Sequence, residues 1–264
     1  MVTTIKAAEQ SVFGLLRKLT PVSEQSRFDA ICHVGLQKTG TVWFREMLSD
    51  LEVFKHTGLH FRDCAGITLP HQGRLDGLYS PIRQFDEQVQ SRLSEEGVAT
   101  IAVIRDPVSL VLSWIKSTSK YHVSRKGGAL EQRRAELLQL GQEDQIDYAI
   151  EFLHSKNRFE QFDRLIDFAN QSPSRVLVKY EDCLFRPHET FARIFETCDI
   201  RMTEHAIAAF LDRHSFQAYS GRKITDQAAS TSSLQGRTHI EAEALDPALI
   251  AKVMNAVGEN WSRL

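Results

Sequence analysis

The chain has 264 residues, of which 42% are hydrophobic, and this length is enough for one α/β domain with a full core. Its 32 basic and 34 acidic residues leave a formal net charge of −2, so the overall field does not favour nucleic acid or an anionic membrane as a partner. Any anion site must therefore be local. No CxxC spacing links the four cysteines, which argues against a zinc site or a disulfide framework and predicts a reducing compartment.

Residues 1–26 are predicted to contain an amphipathic helix. Apolar side chains share one helical face in this segment, and charged residues interrupt the run: Val12, Phe13, Leu16 and Leu19. The segment has neither an apolar stretch of spanning length nor a small-residue cleavage site, so it predicts no membrane span and no signal peptide. We expect a cytoplasmic protein.

Short apolar runs typical of buried strands occur three times, over residues 29–35, 98–104 and 174–182. A helical pattern follows the first run over residues 41–51, and another begins at Pro107, where Asp106 is suited to cap it. Residues 56–81 are predicted to be mainly loop. Further helices are predicted at four places: residues 85–97, residues 129–170, from Pro187 and from Thr203.

This alternation of strands and helices predicts an α/β fold, a three-layer parallel sheet with helices on both faces, in a single domain over residues 1–264. In such sheets ligands bind at the carboxyl ends of the strands. The polar, Ser/Thr/Gly-rich segment 220–239 is predicted to be a long surface loop that contributes to a ligand site.

The loop after the first strand, GLQKTGT, has the features of an anion cradle. A turn from a strand into a helix presents backbone N–H groups and a positive dipole end, and Lys38 adds a full charge. Gly35 and Gly40 fit the glycines of a Walker A loop, but Thr41 and Val42 stand where that motif needs Lys and Ser/Thr, so magnesium-nucleotide chemistry loses support. The alternative interpretation is an ordinary glycine-containing turn with an exposed lysine and a core tryptophan, Trp43.

Three segments match the motifs of one enzyme family, in that family's order, over residues 31–187. The first is KTGTVW; the second is VIRDPVSLVLSW, in which Ser113 follows Arg105 by eight positions; the third is VLVKYEDCLFRP, which contains Tyr180. Together they resemble the sulfotransferases that use 3'-phosphoadenosine 5'-phosphosulfate (PAPS). The first resembles the loop for the 5'-phosphosulfate, the second the 3'-phosphate motif and the third the segment beside the adenine. The chain is identified as a member, with a P-loop-like phosphate site.

The resemblance implies a role for each donor-site residue. Lys38 is expected to lie near the bridging oxygen and to stabilise the departing phosphate. Arg105 and Ser113 suit a phosphate because an arginine fork and a hydroxyl both donate hydrogen bonds to it. Tyr180 is expected near the adenine, with a core tyrosine as the alternative. The residues after the lysine are expected to contact the nucleotide. Backbone N–H or hydroxyl groups of Thr39, Gly40, Thr41 and Val42 would donate to the 5'-phosphate, and Trp43 would offer an aromatic face to the base.

The late segment GRTH is similar to the glycine-and-basic element that family members close over the 3'-phosphate. It places Gly236 and Arg237 in the donor site, and Arg222 and Lys223 compete for the same contact. A solvated basic cluster is the alternative for all three basic residues. The resemblance implies no bridging metal ion.

The general base for the acceptor is the least defined part of the site. Cytosolic family members carry it in a KTHLP-like segment, whereas this chain has GITLPHQGRLDGLYSP, with no histidine in the corresponding position. Histidine suits proton transfer near neutral pH, so His71, the nearest one, is the predicted base. His60 and His56 upstream, and His122 downstream, are the other candidates.

The predicted function is transfer of the sulfuryl group of PAPS to a hydroxyl or amine of a small-molecule or glycan acceptor. Two alternatives remain open. A nucleotide-dependent small-molecule kinase shares the sheet and the phosphate loop. A protein that binds PAPS, or the product PAP that remains after sulfuryl transfer, without catalysis would explain the missing histidine. A nucleic-acid partner is not expected, because neither net charge nor a basic-aromatic stripe supports one.

Overall fold

Five parallel strands form one sheet within the residues that the computed structural model describes, which are 22, 25–65, 69–121, 128–220 and 245–262. The strand order is β2-β3-β1-β4-β5. In register, Val34 of β1 lies beside Ile82 of β3, and Gly35 lies beside Val103 of β4. The carboxyl ends of the central strands therefore meet at one edge. Their bounds are β1 Ala30–Gly35, β2 Phe61–Asp63, β3 Leu78–Ile82, β4 Val98–Ile104 and β5 Arg175–Lys179.

Alternate residues of the central strands enter two separate hydrophobic cores, one on each face of the sheet. Cys32 and Val34 belong to the first core, and Ile31 to the second; Ala102 and Val103 divide in the same way on β4. Because successive strand side chains point to opposite faces, a sheet buried on both sides needs apolar residues at every position. The predicted three-layer α/β architecture is confirmed.

Helices cover both faces of the sheet. The helices over the first core are α3 Glu87–Leu93, α4 Pro107–Lys116, α5 Ala129–Gln139, α6 Gln142–Ser155, α7 Arg158–Asn170, α12 Pro247–Ala256 and α13 Glu259–Ser262. The helices over the second core are α1 Thr41–Leu48, α2 Leu51–Lys55, α8 Tyr180–Phe185, α9 Pro187–Thr197, α10 Glu204–His214 and α11 Phe216–Ser220. A π-helical turn, Ser117–Tyr121, follows α4.

The cap predicted at Asp106 and the helix start predicted at Thr203 are confirmed. Asp106 accepts a hydrogen bond from the backbone N–H of Ser109 at 2.7 Å, and Pro107 stands in the first turn of α4. Thr203 caps α10 by accepting from Ala206 N at 3.2 Å. Such caps stabilise helix starts because the first N–H groups of a helix have no partner inside it.

One local prediction was incomplete and another was wrong. The described residues of segment 56–81 are mainly loop, as predicted, but the sequence pattern missed β2 and most of β3 within it; β2 has three residues, and Pro81 in β3 is a residue that usually argues against a strand. The helix predicted over residues 41–51 is two helices, because Asp50 accepts from Glu52 N and starts α2.

Several predictions concern features that the structure does not test. Most of the N-terminal segment 1–26, and the late loop apart from its first residue, lie outside the described residues. The single-domain assignment stays a prediction. No helix among the described residues is long and apolar enough to cross a membrane, and cytoplasmic residence stays a prediction. The four cysteines are free and buried: Cys32, Cys64, Cys183 and Cys198.

Candidate functional site

A cleft of about 410 Å³ opens at the carboxyl ends of β1, β3 and β4. The loop after β1 and the start of α1 form its floor with Lys38, Gly40, Thr41, Val42 and Trp43. The second and third motifs reach the same cleft through Arg105, Ser113 and Tyr180. Three motifs that are far apart in the chain are therefore brought together. Its volume is in the range of small-ligand sites.

The loop after β1 closes on itself. Thr39 is fully buried, and its hydroxyl donates to Leu36 O at 2.8 Å, as does its backbone N–H at 3.4 Å. Both hydrogen-bond donors of Thr39 are therefore used inside the loop. Thr39 does not line the cleft, in contrast to its predicted contact with an anion. Gly40 caps α1 without a side-chain hydrogen bond, so the N–H groups of Thr41 and Val42 remain for a ligand.

Arg105 fixes this loop to the end of β4. Its guanidinium is 5% exposed and donates from Nη1 to Lys38 O at 2.8 Å. Its Nε lies 3.5 Å from Glu181 Oε1, and its Cζ lies 4.8 Å from the centre of the Tyr180 ring. These contacts hold the arginine in one orientation. Such preorganisation lowers the entropy cost of binding.

Lys38 lies in an environment that disfavours its charge. Burial, with a further contribution from Arg105, lowers the pKa of its ammonium from 10.5 to about 8. Its backbone is in the left-handed region at φ 73°, which is unusual for a residue other than glycine. An anion beside Lys38 would restore the charged form, because an opposite charge offsets the cost of burial.

The affinity of the cleft for a phosphate ligand should therefore depend on pH through Lys38. We expect the affinity for PAP to be constant near neutral pH and to fall by up to about tenfold per pH unit above pH 8, because the protonated form binds and is lost as pH rises through its pKa. Calorimetric titration at a series of pH values measures this. In Lys38→Arg, whose charge persists, this fall in affinity should be absent. If the Lys38→Arg protein shows the same pH dependence as the unsubstituted protein, Lys38 is not the titrating group.

Gly40 is required by both conformation and space. Its φ is 75°, and a Cβ atom there would lie 2.5 Å from Cε2 of the buried Tyr180 ring. Tyr180 is thus packed against the loop, and burial raises the pKa of its hydroxyl to about 12.

Gly40→Ala should lower the free energy of unfolding by about 2–4 kcal/mol, since it combines left-handed strain with a clash against a ring held in the core. Urea denaturation measures the change. Gly73→Ala is a matched control, because Gly73 has φ 82° but nothing within 4 Å of an added Cβ. Gly73→Ala should lower the free energy of unfolding by only about 1 kcal/mol. Equal losses of stability in the two variants would show that the Tyr180 ring moves aside for the added methyl group.

Comparison with known proteins decides the family. A family model described as the sulfotransferase domain matches residues 29–245, which include the loop after β1, Arg105, Ser113 and Tyr180. The chain belongs to the sulfotransferase family. It is therefore a sulfotransferase by family, and the resemblance noted in its motifs is confirmed.

The chain was also compared with solved structures. A mouse sulfotransferase, SULT7A1 complexed with PAP, superposes with a TM-score of 0.55 at 13% identity, covering 91% of this chain and 88% of that one. A retinol dehydratase complexed with androsterone and PAP gives 0.49 at 11% identity, covering 88% and 80%. A sulfotransferase domain from the curacin biosynthetic pathway gives 0.44 at 11%, covering 91% and 96%. The mouse enzyme shares the fold. No curated protein matches the chain in sequence.

Trp43 of this sulfotransferase is mainly a core residue. It is 4% exposed, and its indole N–H donates to His214 O at 2.7 Å. Its ring packs edge-on against Tyr180, with the ring centres 6.1 Å apart. The predicted aromatic face for a base is therefore small, and Phe216 and Tyr219 add aromatic surface to the same cleft.

His71 does not join the cleft of the sulfotransferase. It is exposed, and its Nδ1 contacts Nε2 of Gln88 on α3. His60 packs on Phe54, with ring centres 5.2 Å apart, and His56 lies 4.0 Å from a Glu52 carboxylate. Among the described residues no histidine lines the cleft. His122, Arg222, Lys223, Gly236 and Arg237 lie outside the described part of the chain.

Sequence analysis missed a buried histidine beneath the loop. His33 is fully buried on β1, with Nδ1 2.8 Å from Ser80 Oγ and its ring stacked on Phe44. Burial lowers the pKa of His33 to about 3, so it stays neutral at physiological pH. A Cβ on Gly35 would lie 2.7 Å from His33 Nε2, which explains the glycine at the end of β1. His33 supports the loop from below.

Two arginines in the cleft were also missed. Arg83 follows the last residue of β3, and Arg158 is the first residue of α7; both line the cleft. The signal for Arg83 was available only once β3 was known, since an arginine after a parallel strand lies at the ligand edge. No sequence signal pointed to Arg158.

Proposed function

We propose that this sulfotransferase transfers the sulfuryl group of PAPS to a hydroxyl or amine of a small-molecule or glycan acceptor. The observation that carries the proposal is the convergence of Lys38 and the start of α1 with Arg105 and Ser113 in one cleft. These groups suit a donor with anions at two ends. The mouse enzyme of the same fold is complexed with PAP, which supports the same donor here.

The cleft residues fit the two ends of the donor separately. The N–H groups at the start of α1, which no side chain caps, and the Lys38 ammonium suit the 5'-phosphosulfate. Arg105 and Ser113 suit the 3'-phosphate, as Arg105 is oriented by its bonds to the loop and to Glu181. Tyr180 and Phe216 provide apolar surface nearby for the adenine.

The reaction needs one bond to form and one to break. The acceptor oxygen or nitrogen forms a bond to sulfur while the bond between sulfur and the 5'-phosphate oxygen breaks, so PAP leaves with the electron pair. Charge therefore grows on that phosphate oxygen, and Lys38 stabilises it by electrostatics in a partly buried site. The acceptor proton leaves to a base. Neither His71 nor another described histidine lines the cleft, which leaves His122 and His239, both outside the described residues, as the histidines for this role.

Calorimetric titration of PAP without magnesium tests the donor assignment, with magnesium ATP as the comparison ligand. We expect PAP to bind and ATP to bind more weakly, because Thr41 and Val42 stand where a Walker A loop has its Lys and Ser/Thr. Preference for magnesium ATP would overturn the proposal in favour of a kinase. PAP binding together with no turnover of PAPS over a broad acceptor panel would favour a binding protein.

A further inference from the structure

Positive charge remains in the cleft after the donor groups have been assigned. Lys38 and Arg105 are matched to the two ends of the donor, but Arg83 and Arg158 also line the cleft, and none of the described residues that line it is a carboxylate. Neither of these two arginines has a carboxylate partner among the described residues. Two uncompensated guanidinium groups in one cleft favour an anionic ligand.

The strand order shows on which side of the donor these arginines lie. Arg105 follows β4 and Arg83 follows β3, and β1 lies between these two strands. Lys38, in the loop after β1, is therefore flanked by the 3'-phosphate groups on one side and by Arg83 on the other. Because Lys38 marks the reacting end of the donor, the β3 side is where an acceptor can approach sulfur from outside the nucleotide.

Arg158 is held next to Arg83 by the backbone. Its Nη1 donates to Arg83 O and to Gln161 Oε1, both at 3.2 Å, while its Nε is buried without a hydrogen-bond partner. Burial lowers the pKa of Arg158 below its usual value. An anion at this position would accept hydrogen bonds from both arginines; for Arg158 this also offsets the cost of burying a polar group without a partner, whereas Arg83 is exposed.

We propose that the acceptor of this sulfotransferase carries an oxyanion group, a carboxylate or a phosphate or sulfate ester, that Arg83 and Arg158 bind on the β3 side of the cleft. The proposal rests on the proposed function, since it assigns the other side to PAPS. An anionic acceptor would otherwise be repelled by the anionic donor, and the two arginines offset that repulsion. They also disfavour acceptors that are cationic amines.

The decisive experiment asks whether this subsite binds anions when the donor site is full. Protein labelled with ¹⁵N at arginine Nε is saturated with PAP, and binding of PAP is confirmed by calorimetry. It is then titrated with acetate, methyl phosphate or the neutral control acetamide. Arg83→Gln and Arg158→Gln assign the two Nε signals in the spectrum, and Arg158→Lys serves where the glutamine variant does not fold.

We expect saturable shifts of the Arg83 and Arg158 signals with at least one anion and none with acetamide. A response to acetate alone assigns a carboxylate, and a response to methyl phosphate alone assigns a phosphate or sulfate ester. Absence of a saturable shift would overturn the proposal. If the same titration without PAP gives a shift that is missing when PAP is bound, the arginines belong to the donor site; if neither titration gives a shift, they bind no anion. Failure of PAP to bind is seen before any anion is added and overturns the donor assignment itself.

Catalysis gives a second readout through matched acceptor pairs. Glucuronate is compared with glucose, and 4-hydroxybenzoate with 4-hydroxybenzamide, by measuring PAP released from PAPS. We expect kcat/KM to be higher for the anionic member of any pair that reacts, on the order of tenfold, and Arg83→Gln to remove the difference without changing the Kd for PAP. Arg201→Gln, which removes an exposed charge outside the cleft, is the control. Preference for the neutral member would count against the proposal.

Discussion

Replacing Lys38 with methionine should lower the rate of sulfuryl transfer by about a hundredfold to a thousandfold. Lys38 lines the cleft at the end of β1, where charge develops on the departing phosphate oxygen of the proposed reaction. The loss should appear mainly in kcat, because the interaction is stronger in the transition state than in the ground state. PAP release from PAPS, with the best acceptor of the panel, measures it.

The stability of Lys38→Met should move in the opposite direction. The pKa of Lys38 is lowered to about 8, so below that pH the folded state carries a charge that its surroundings disfavour. Removing the charge should raise the free energy of unfolding at neutral pH by about 1–3 kcal/mol. Gain of stability with loss of rate excludes misfolding as the cause. Lys55→Met, which removes an ammonium paired with Glu52 outside the cleft, should change neither property greatly.

A Lys38→Met protein that keeps its rate would contradict the proposed mechanism. The leaving oxygen would then be stabilised by the N–H groups at the start of α1 alone, which no side chain caps. Lys38→Arg separates charge from shape, because a guanidinium is planar and longer than an ammonium. We expect it to recover only part of the rate.

Arg105→Ala should weaken PAP binding by between about tenfold and a hundredfold, as expected for loss of charge-assisted hydrogen bonds to a phosphate. Affinity for AMP, which lacks the 3'-phosphate, should fall much less. The comparison of the two ligands isolates the 3'-phosphate contact, because any effect of Arg105 on the loop through Lys38 O acts on both. Calorimetric titration of both ligands measures it.

The control for Arg105→Ala is a variant that also removes the opposing charge. Without Arg105, the largely buried Glu181 carboxylate loses its ion-pair partner, and an unpaired buried charge destabilises a fold strongly. Arg105→Ala with Glu181→Gln should restore stability but not PAP affinity. Equal losses of PAP and AMP affinity in this double variant would show that Arg105 shapes the loop and does not contact the 3'-phosphate.

The main outlines of this sulfotransferase could be predicted from its sequence because they depend on local interactions. The apolar runs of β1, β4 and β5 indicate buried strands, and Asp106 with Pro107 marks the start of α4 whatever surrounds it. The donor motifs are short segments at strand ends, so their spacing can be recognised in the sequence before the fold is known. The family and the proposed donor half of the site follow from these features.

The residues of the proposed acceptor side come together only in the tertiary structure. β3 contains Pro81 and is recognisable as a strand because it pairs with β1 and β2. Arg158 joins the site through a hydrogen bond to Arg83 O, 75 residues away in the chain. Thr39 turns its hydroxyl inward to Leu36, and His33 is neutral because it is buried. Burial and long-range contacts arise when distant segments pack, and no local pattern in the sequence encodes them.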